Sequence, residues 1–133
     1  ISHHGGEIDH LVIGPGGVFN MTTRCHPSST VWINDDILRV NGHRTEYLRE
    51  SRVEAAQLGR LLTEAVGAPV ESIAVIVFVD LLKMTVKSHP SDVLVTTLRS
   101  VRHLLRHQPR RLTPAQIEQI YDAARGIITC QPA

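Results

Sequence analysis

Residues 6–24 read GEIDHLVIGPGGVFNMTTR, in which two runs of alternating apolar and polar side chains flank a glycine-rich turn. In the first run, Asp9, Leu11 and Ile13 fall on one face of an extended chain and the intervening residues on the other. The turn combines glycines, which accept positive φ, with a proline, whose φ is fixed. We therefore predict an antiparallel hairpin of strands 7–13 and 18–24.

The composition is that of one ordinary globular domain. The chain has 133 residues, of which 42% are hydrophobic and 20% charged, and its formal net charge is +1. These values argue against disorder and against a strongly basic arm or acidic tail. Cys25 and Cys130 lie too far apart for a disulfide framework. No apolar run is long enough to span a membrane, and no basic segment precedes an apolar stretch as in a signal peptide. We expect a cytoplasmic protein of one domain, residues 1–133, with no membrane partner; the sequence predicts no oligomeric state.

Further strands are predicted downstream of the hairpin. Short strands at residues 30–34 and 37–40 are separated by tight-turn residues. Residues 73–79 form a continuous, largely β-branched run, which is typical of a strand buried on both faces. Weaker strands are predicted at residues 84–86 and 93–96.

Helices alternate with the later strands. The apolar period changes to that of a helix over residues 48–65, and Gly67 ends it. An amphipathic helix is predicted at residues 98–107, and a last helix begins at the capping box of Thr113 and extends to about residue 125. The fold class is therefore α/β, with a mixed sheet, N-terminal antiparallel hairpins and flanking helices.

The hairpin brings polar side chains to one face. With residues 14–17 as its loop, stepping back along both strands pairs Asp9 with Thr22 and Glu7 with Arg24. Carboxylates that can hold Mg²⁺, next to a cation that can stabilise a developing negative charge, are typical of metal-dependent phosphodiesterases.

The segment from Gly6 to Phe19 resembles the signature of the nuclease-related domain family, NERD, which is regarded as a distant member of the restriction-endonuclease-like PD-(D/E)XK fold. The likeness spans at least residues 6–62, and it continues through Val31-Trp32, Val40-Asn41-Gly42, Tyr47-Leu48-Arg49 and the helix that follows. It implies a restriction-endonuclease-like mixed sheet, a helix that would precede Ile1, and a function on nucleic acid.

The resemblance also assigns site positions. Asp9 falls on the family's metal-binding aspartate, whereas the family's Glu-x-Lys falls on Thr22-Thr23-Arg24. A neutral hydroxyl is a weak Mg²⁺ ligand, and a guanidinium cannot donate or take a proton near neutral pH. A glutamine that the family often carries on the next helix corresponds most nearly to Glu54. The catalytic positions are thus Asp9, Thr22 and Arg24, with little or no cleavage expected.

Two interpretations of Glu7 remain open. Opposite Arg24 it forms either a cross-strand ion pair or the remnant of a metal site. In an active enzyme the cofactor would be Mg²⁺ held by Asp9 and Glu7; otherwise no cofactor is expected.

Zinc is a second metal to consider. His10, Cys25 and His26 have the side-chain chemistry of zinc ligands, but their spacing matches no zinc motif. We therefore expect no zinc site.

Basic residues form a stripe on the predicted helix 98–107 and just beyond it. No acidic residue occurs between Asp92 and Glu118. Arginine binds phosphate bidentately, so the stripe predicts nucleic-acid contacts; a solvated helix face is the alternative. The predicted nucleic-acid-binding residues are Arg99, Arg102, Arg106, Arg110 and Arg111.

Three functions compete at this point. The first is a nuclease-related domain that binds nucleic acid with little or no cleavage. The second is an active Mg²⁺-dependent DNA nuclease with a rearranged metal site. The third is an interaction module that does not bind nucleic acid.

Overall fold

The computed structural model describes the backbone of residues 8–130 and the side chains of residues 10–126. Over this range the chain is α/β and forms two four-stranded sheets and three helices. In chain order the elements are β1 (Ile8–Gly14), β2 (Gly17–Cys25), β3 (Thr30–Asn34), β4 (Ile37–Val40), β5 (His43–Arg44), α1 (Tyr47–Val66), β6 (Ser72–Val79), β7 (Lys83–Ser88), β8 (Val93–Thr97), α2 (Val101–Arg106) and α3 (Pro114–Cys130).

The predicted N-terminal hairpin is confirmed in the described strands. β1 and β2 are antiparallel, and their register pairs Asp9 with Thr22 as the alternation predicts. The turn is tighter than the predicted loop 14–17, because Gly14 and Gly17 already pair with each other. Gly17 has a φ of +133°, a conformation that residues with a side chain rarely adopt.

The first sheet has the strand order β1-β2-β6-β8. β6 lies in its interior and pairs in parallel with β2 on one side and β8 on the other. The prediction that residues 73–79 form a buried central strand is confirmed, since residues 74–78 are all buried.

Helices cover both faces of the first sheet. On one face Val18 of β2 packs with Leu62 of α1 and with Ile120 and Ala124 of α3. We call this the α1 face.

On the opposite face the neighbouring residue Phe19 packs with Val75 and Val77, and Val101 and Leu105 of α2 cover them. We call this the α2 face. Alternate residues of β2 therefore point to α1 and to α2.

The strands do not form the single mixed sheet that the sequence predicted. β3, β4, β5 and β7 form a second sheet with the order β5-β4-β3-β7. After β2 the chain passes through Pro27, which lacks an N–H, and Ser28, whose φ is +57°, so it leaves the first sheet there. Val31, Ile33 and Leu38 of the second sheet join Phe78 of β6 in the largest cluster of buried side chains.

The helix predicted at residues 98–107 is shorter than expected. The N–H of Leu98 donates to the carbonyl of Phe78 (3.0 Å), so the strand pairing continues there and the helix begins only at Val101. Leu98, the first residue of the predicted helix, lies outside α2 and is 60% exposed.

The last helix begins as predicted. The Thr113 N–H donates to Oε1 of Gln116 (2.8 Å) and the Gln116 N–H donates to Oγ1 of Thr113 (3.2 Å), which is a capping box. The helix extends to Cys130, beyond the predicted end. None of the helices in residues 8–130 is both long and apolar enough to cross a membrane.

Candidate functional site

Thr22 occupies the interior of the α1 face. Its backbone pairs with that of Asp9, whose side chain lies outside the described part of the chain. Thr22 is 2% exposed, and its Oγ1 has no hydrogen-bond partner among the described residues. The position that the resemblance gives to a metal-binding carboxylate therefore holds a buried neutral hydroxyl.

Arg24 lies two residues further along β2 on the same face. Its side chain is only 12% exposed, and Cζ lies 3.9 Å from the centroid of the Tyr47 ring. Nη2 is 3.7 Å from Oε1 of Glu50, whose side chain is 50% exposed. Because the Glu50 carboxylate is half-exposed, solvent weakens this ion pair, whereas the stacking on the tyrosine involves the shielded part of the Arg24 guanidinium. The predicted pairing with Glu7 lies outside the described residues and stays a prediction.

His26 completes a chain of contacts at this end of β2. Its Nε2 is 2.8 Å from the hydroxyl of Tyr47, and its ring also lies 6.0 Å from that of Phe78. Burial, and to a lesser extent the charge of Arg24, lower the pKa of His26 below its usual range. The imidazole is therefore neutral at neutral pH and Tyr47 is held between His26 and Arg24.

Two α1 residues lie beside this group. α1 runs antiparallel to β2, because its start contacts Arg24 and its later residue Leu62 contacts Val18. Ser51 is 3% exposed, and its Oγ has no hydrogen-bond partner in the described part of the chain. Glu54, the nearest match to the family's glutamine, is half-buried one turn beyond Glu50.

The described residues of this site do not fit Mg²⁺. They offer three hydroxyls, a guanidinium and a neutral imidazole. Of the two carboxylates on this part of α1, Glu50 is exposed and faces Arg24, and Glu54 is half-buried. A buried guanidinium repels a divalent cation, and Mg²⁺ prefers carboxylate oxygens. No group of three His, Cys, Asp or Glu side chains in the described range is arranged to hold a metal ion. The metal positions Asp9 and Glu7 both fall outside the described side chains.

The zinc candidates do not converge. His10 is exposed and pairs with Met21, whose side chain packs on the α2 face, whereas His26 points to Tyr47 on the α1 face. Cys25 is exposed.

Sequence reasoning missed the partners of Arg24. Tyr47 and Glu50 lie in the first turn of α1, more than twenty residues away, and no local pattern links them to β2. The one available signal was that the start of the helix is polar and aromatic. A helix start that packed only against apolar side chains would not have this character.

The basic residues of the α2 region lie on the surface. Arg99 is in the turn before α2, and Arg102, Arg106 and Arg110 are likewise exposed. We call these four residues the basic surface. His103 and His107 lie beside it with ring centroids 4.0 Å apart, and His103 accepts a hydrogen bond at its carbonyl from the His107 N–H.

Arg111 has a structural role that the sequence did not predict. Its N–H donates to the carbonyl of Pro15 (2.8 Å), and its Nη1 donates to the carbonyl of Gly16 (2.6 Å). The guanidinium therefore fixes the turn of the N-terminal hairpin, although the residue is exposed.

α2, which carries Arg102 and Arg106, lies on the opposite side of the first sheet from Thr22 and Arg24. Thr22 and Arg24 point to α1, whereas α2 packs on Phe19 from the other side. The first sheet therefore separates Arg102 and Arg106 from the positions that the resemblance assigns to catalysis.

No model of a known protein family matches this chain, and no curated protein or solved structure matches it either.

Proposed function

We propose that this chain is a nucleic-acid-binding domain of the restriction-endonuclease-like type with little or no nuclease activity. The observation that carries the proposal is the separation of Arg102 and Arg106, on α2, from Thr22 and Arg24 by the first sheet. Nucleic acid held at α2 has its phosphates far from the positions where the family would cleave them.

The basic surface supplies the binding energy in this proposal. Its four arginines are exposed, and the sequence around them contains no carboxylate from residue 93 to residue 117. Arginine binds phosphate oxygens bidentately, and each contact releases counterions from the nucleic acid. Four contacts to duplex DNA would weaken binding about a hundredfold between about 50 and 200 mM salt.

The loss of cleavage follows from the chemistry of the α1 face. Phosphodiester hydrolysis on such a scaffold needs a metal ion held by carboxylates. Here a threonine hydroxyl replaces one carboxylate, and a guanidinium stacked on Tyr47 replaces the lysine. The same two replacements favour a structural role for Thr22, Arg24 and Tyr47.

The test is binding measured by fluorescence anisotropy at two salt concentrations. We expect affinity for labelled DNA to fall steeply with salt, and Arg102→Glu with Arg106→Glu to abolish it. The matched control is Arg49→Glu with Arg60→Glu, which makes the same charge change on exposed positions of α1. A loss of affinity that is equal in both double variants would contradict the assigned surface.

Cleavage is tested separately with supercoiled plasmid and Mg²⁺. We expect no nicking above background. Digestion that is abolished both by EDTA and by Asp9→Ala would overturn the inactive-site proposal and favour an active nuclease with Glu7 as the missing ligand.

A further inference from the structure

An open hollow of about 400 Å³ lies between the N-terminal hairpin and α2. Its walls are the side chains of Val12, Met21, Val101 and Leu105 with the backbone of the hairpin turn, and Phe19 lies at its base. This volume is within the range of small-molecule sites. The hollow is on the α2 face, away from Thr22 and Arg24.

The walls suit a flat, largely apolar group. None of the described lining side chains except two arginines carries a hydrogen-bonding group. Met21 is only partly buried, and methionine is a flexible side chain that makes favourable contacts with aromatic rings. The absence of donors and acceptors from the other lining side chains indicates contact with ring faces and no reading of base edges by those side chains.

The two arginines, Arg102 and Arg106, stand at the rim. They are exposed and one helical turn apart, so their Cα atoms are separated by about 6 Å along the axis. No carboxylate lines the described hollow. The site therefore combines an apolar floor with two adjacent cations, which matches an aromatic ring attached to an anionic backbone.

We propose that this hollow binds an unpaired nucleobase while Arg102 and Arg106 hold the adjoining phosphates. In a duplex the bases are stacked and paired, and only a single-stranded or frayed nucleotide can place its ring on a protein surface. The ligand class is thus single-stranded nucleic acid without sequence preference. This inference rests on the proposed nucleic-acid binding and specifies its substrate.

A filling substitution tests the hollow. A Cβ added at Gly14 meets no atom within 4 Å, the residue's φ is not in the left-handed region, and position 14 shares the α2 face with Val12. Gly14→Phe should therefore occupy the hollow without disturbing the fold. Gln57→Phe, on the exposed side of α1, is the matched control, and thermal unfolding of both variants checks the fold.

The measurement compares a labelled oligothymidylate with a blunt duplex by anisotropy. We expect the single strand to bind about tenfold more tightly than the duplex, and Gly14→Phe to weaken single-strand binding about tenfold. Duplex binding should change less than about twofold, and Gln57→Phe should change neither. If Gly14→Phe does not fold, Met21→Ala takes its place, with the same expected selectivity.

The possible failures are distinguishable. Equal affinity for both probes, or a filled hollow that leaves single-strand binding unchanged, overturns this inference and leaves the basic surface as the binding site. If neither probe binds in a salt-dependent way, both this inference and the proposed function fail.

Discussion

Replacement of Thr22 by valine should stabilise the protein. Thr22 is 2% exposed and its hydroxyl has no hydrogen-bond partner among the described residues. A buried hydroxyl without a hydrogen bond costs about 1–3 kcal/mol. Valine has nearly the same shape and favours a strand. We expect the free energy of unfolding to rise by about 1–2 kcal/mol, which for a domain of this size corresponds to a Tm increase of about 4–8 °C.

The assay is chemical denaturation of Thr22→Val next to a control in which the hydroxyl is satisfied. Ser29 is also buried, but its Oγ donates to the carbonyl of Pro27 (3.3 Å) and accepts from Nδ2 of Asn41 (3.1 Å). Ser29→Ala should therefore lower stability by about 1 kcal/mol. A loss of stability in Thr22→Val as large as that in Ser29→Ala would refute the argument, since it would show that the Thr22 hydroxyl has a partner.

Three further predictions concern the site and its supports. Burial and Arg24 lower the pKa of His26, so the unfolded chain protonates this imidazole more readily than the folded chain does. The free energy of unfolding should therefore be full above about pH 6.5 and fall as the pH drops through the folded-state pKa. In urea denaturation repeated over a pH series, His26→Gln should reduce this loss of stability at low pH. Thr22→Glu with Arg24→Lys should create measurable Mg²⁺ affinity by calorimetry, and a double variant that folds but binds no Mg²⁺ would count against the family positions. Arg52 joins α1 to both sheets through two aspartates, at 2.7 and 2.8 Å, so Arg52→Ala should lower Tm by a few degrees, and more at low salt than at high salt.

Local patterns were enough to predict much of the fold. The alternation of residues 7–13 indicated which face each hairpin residue takes, because a slip of one residue would move Leu11 and Ile13 from the α1 face to the α2 face. The β-branched run of residues 73–79 indicated a central strand for a similar reason: few other positions accept so many adjacent apolar side chains.

The division into two sheets was not predictable in this way. It depends on β3 pairing with β7, residues far apart in sequence, and on the local turn at Pro27 and Ser28. The start of α2 was predicted three residues too early, because the periodicity of residues 98–107 does not show that the N–H of Leu98 still donates to the carbonyl of Phe78 in β6.

The candidate site shows the same limit. Sequence reasoning correctly placed Thr22 opposite Asp9, since hairpin register is local. It could not place Tyr47 over Arg24, nor α2 on the other face of the sheet, because both depend on where the helices pack.

The parallel pairing of β2 with β6 has a consequence for synthesis. Val18 pairs with Ser72, so β2 can pair with β6 only after the residues between them have been synthesised. Until β6 leaves the ribosome, the hairpin has an unpaired edge on β2, and an isolated two-stranded hairpin is only marginally stable in water. Non-local pairing of this kind slows folding and exposes nascent chains to aggregation. We therefore expect ribosome-bound chains arrested before Ser72 to be protease-sensitive, and protection to appear only once β6 and β8 have emerged.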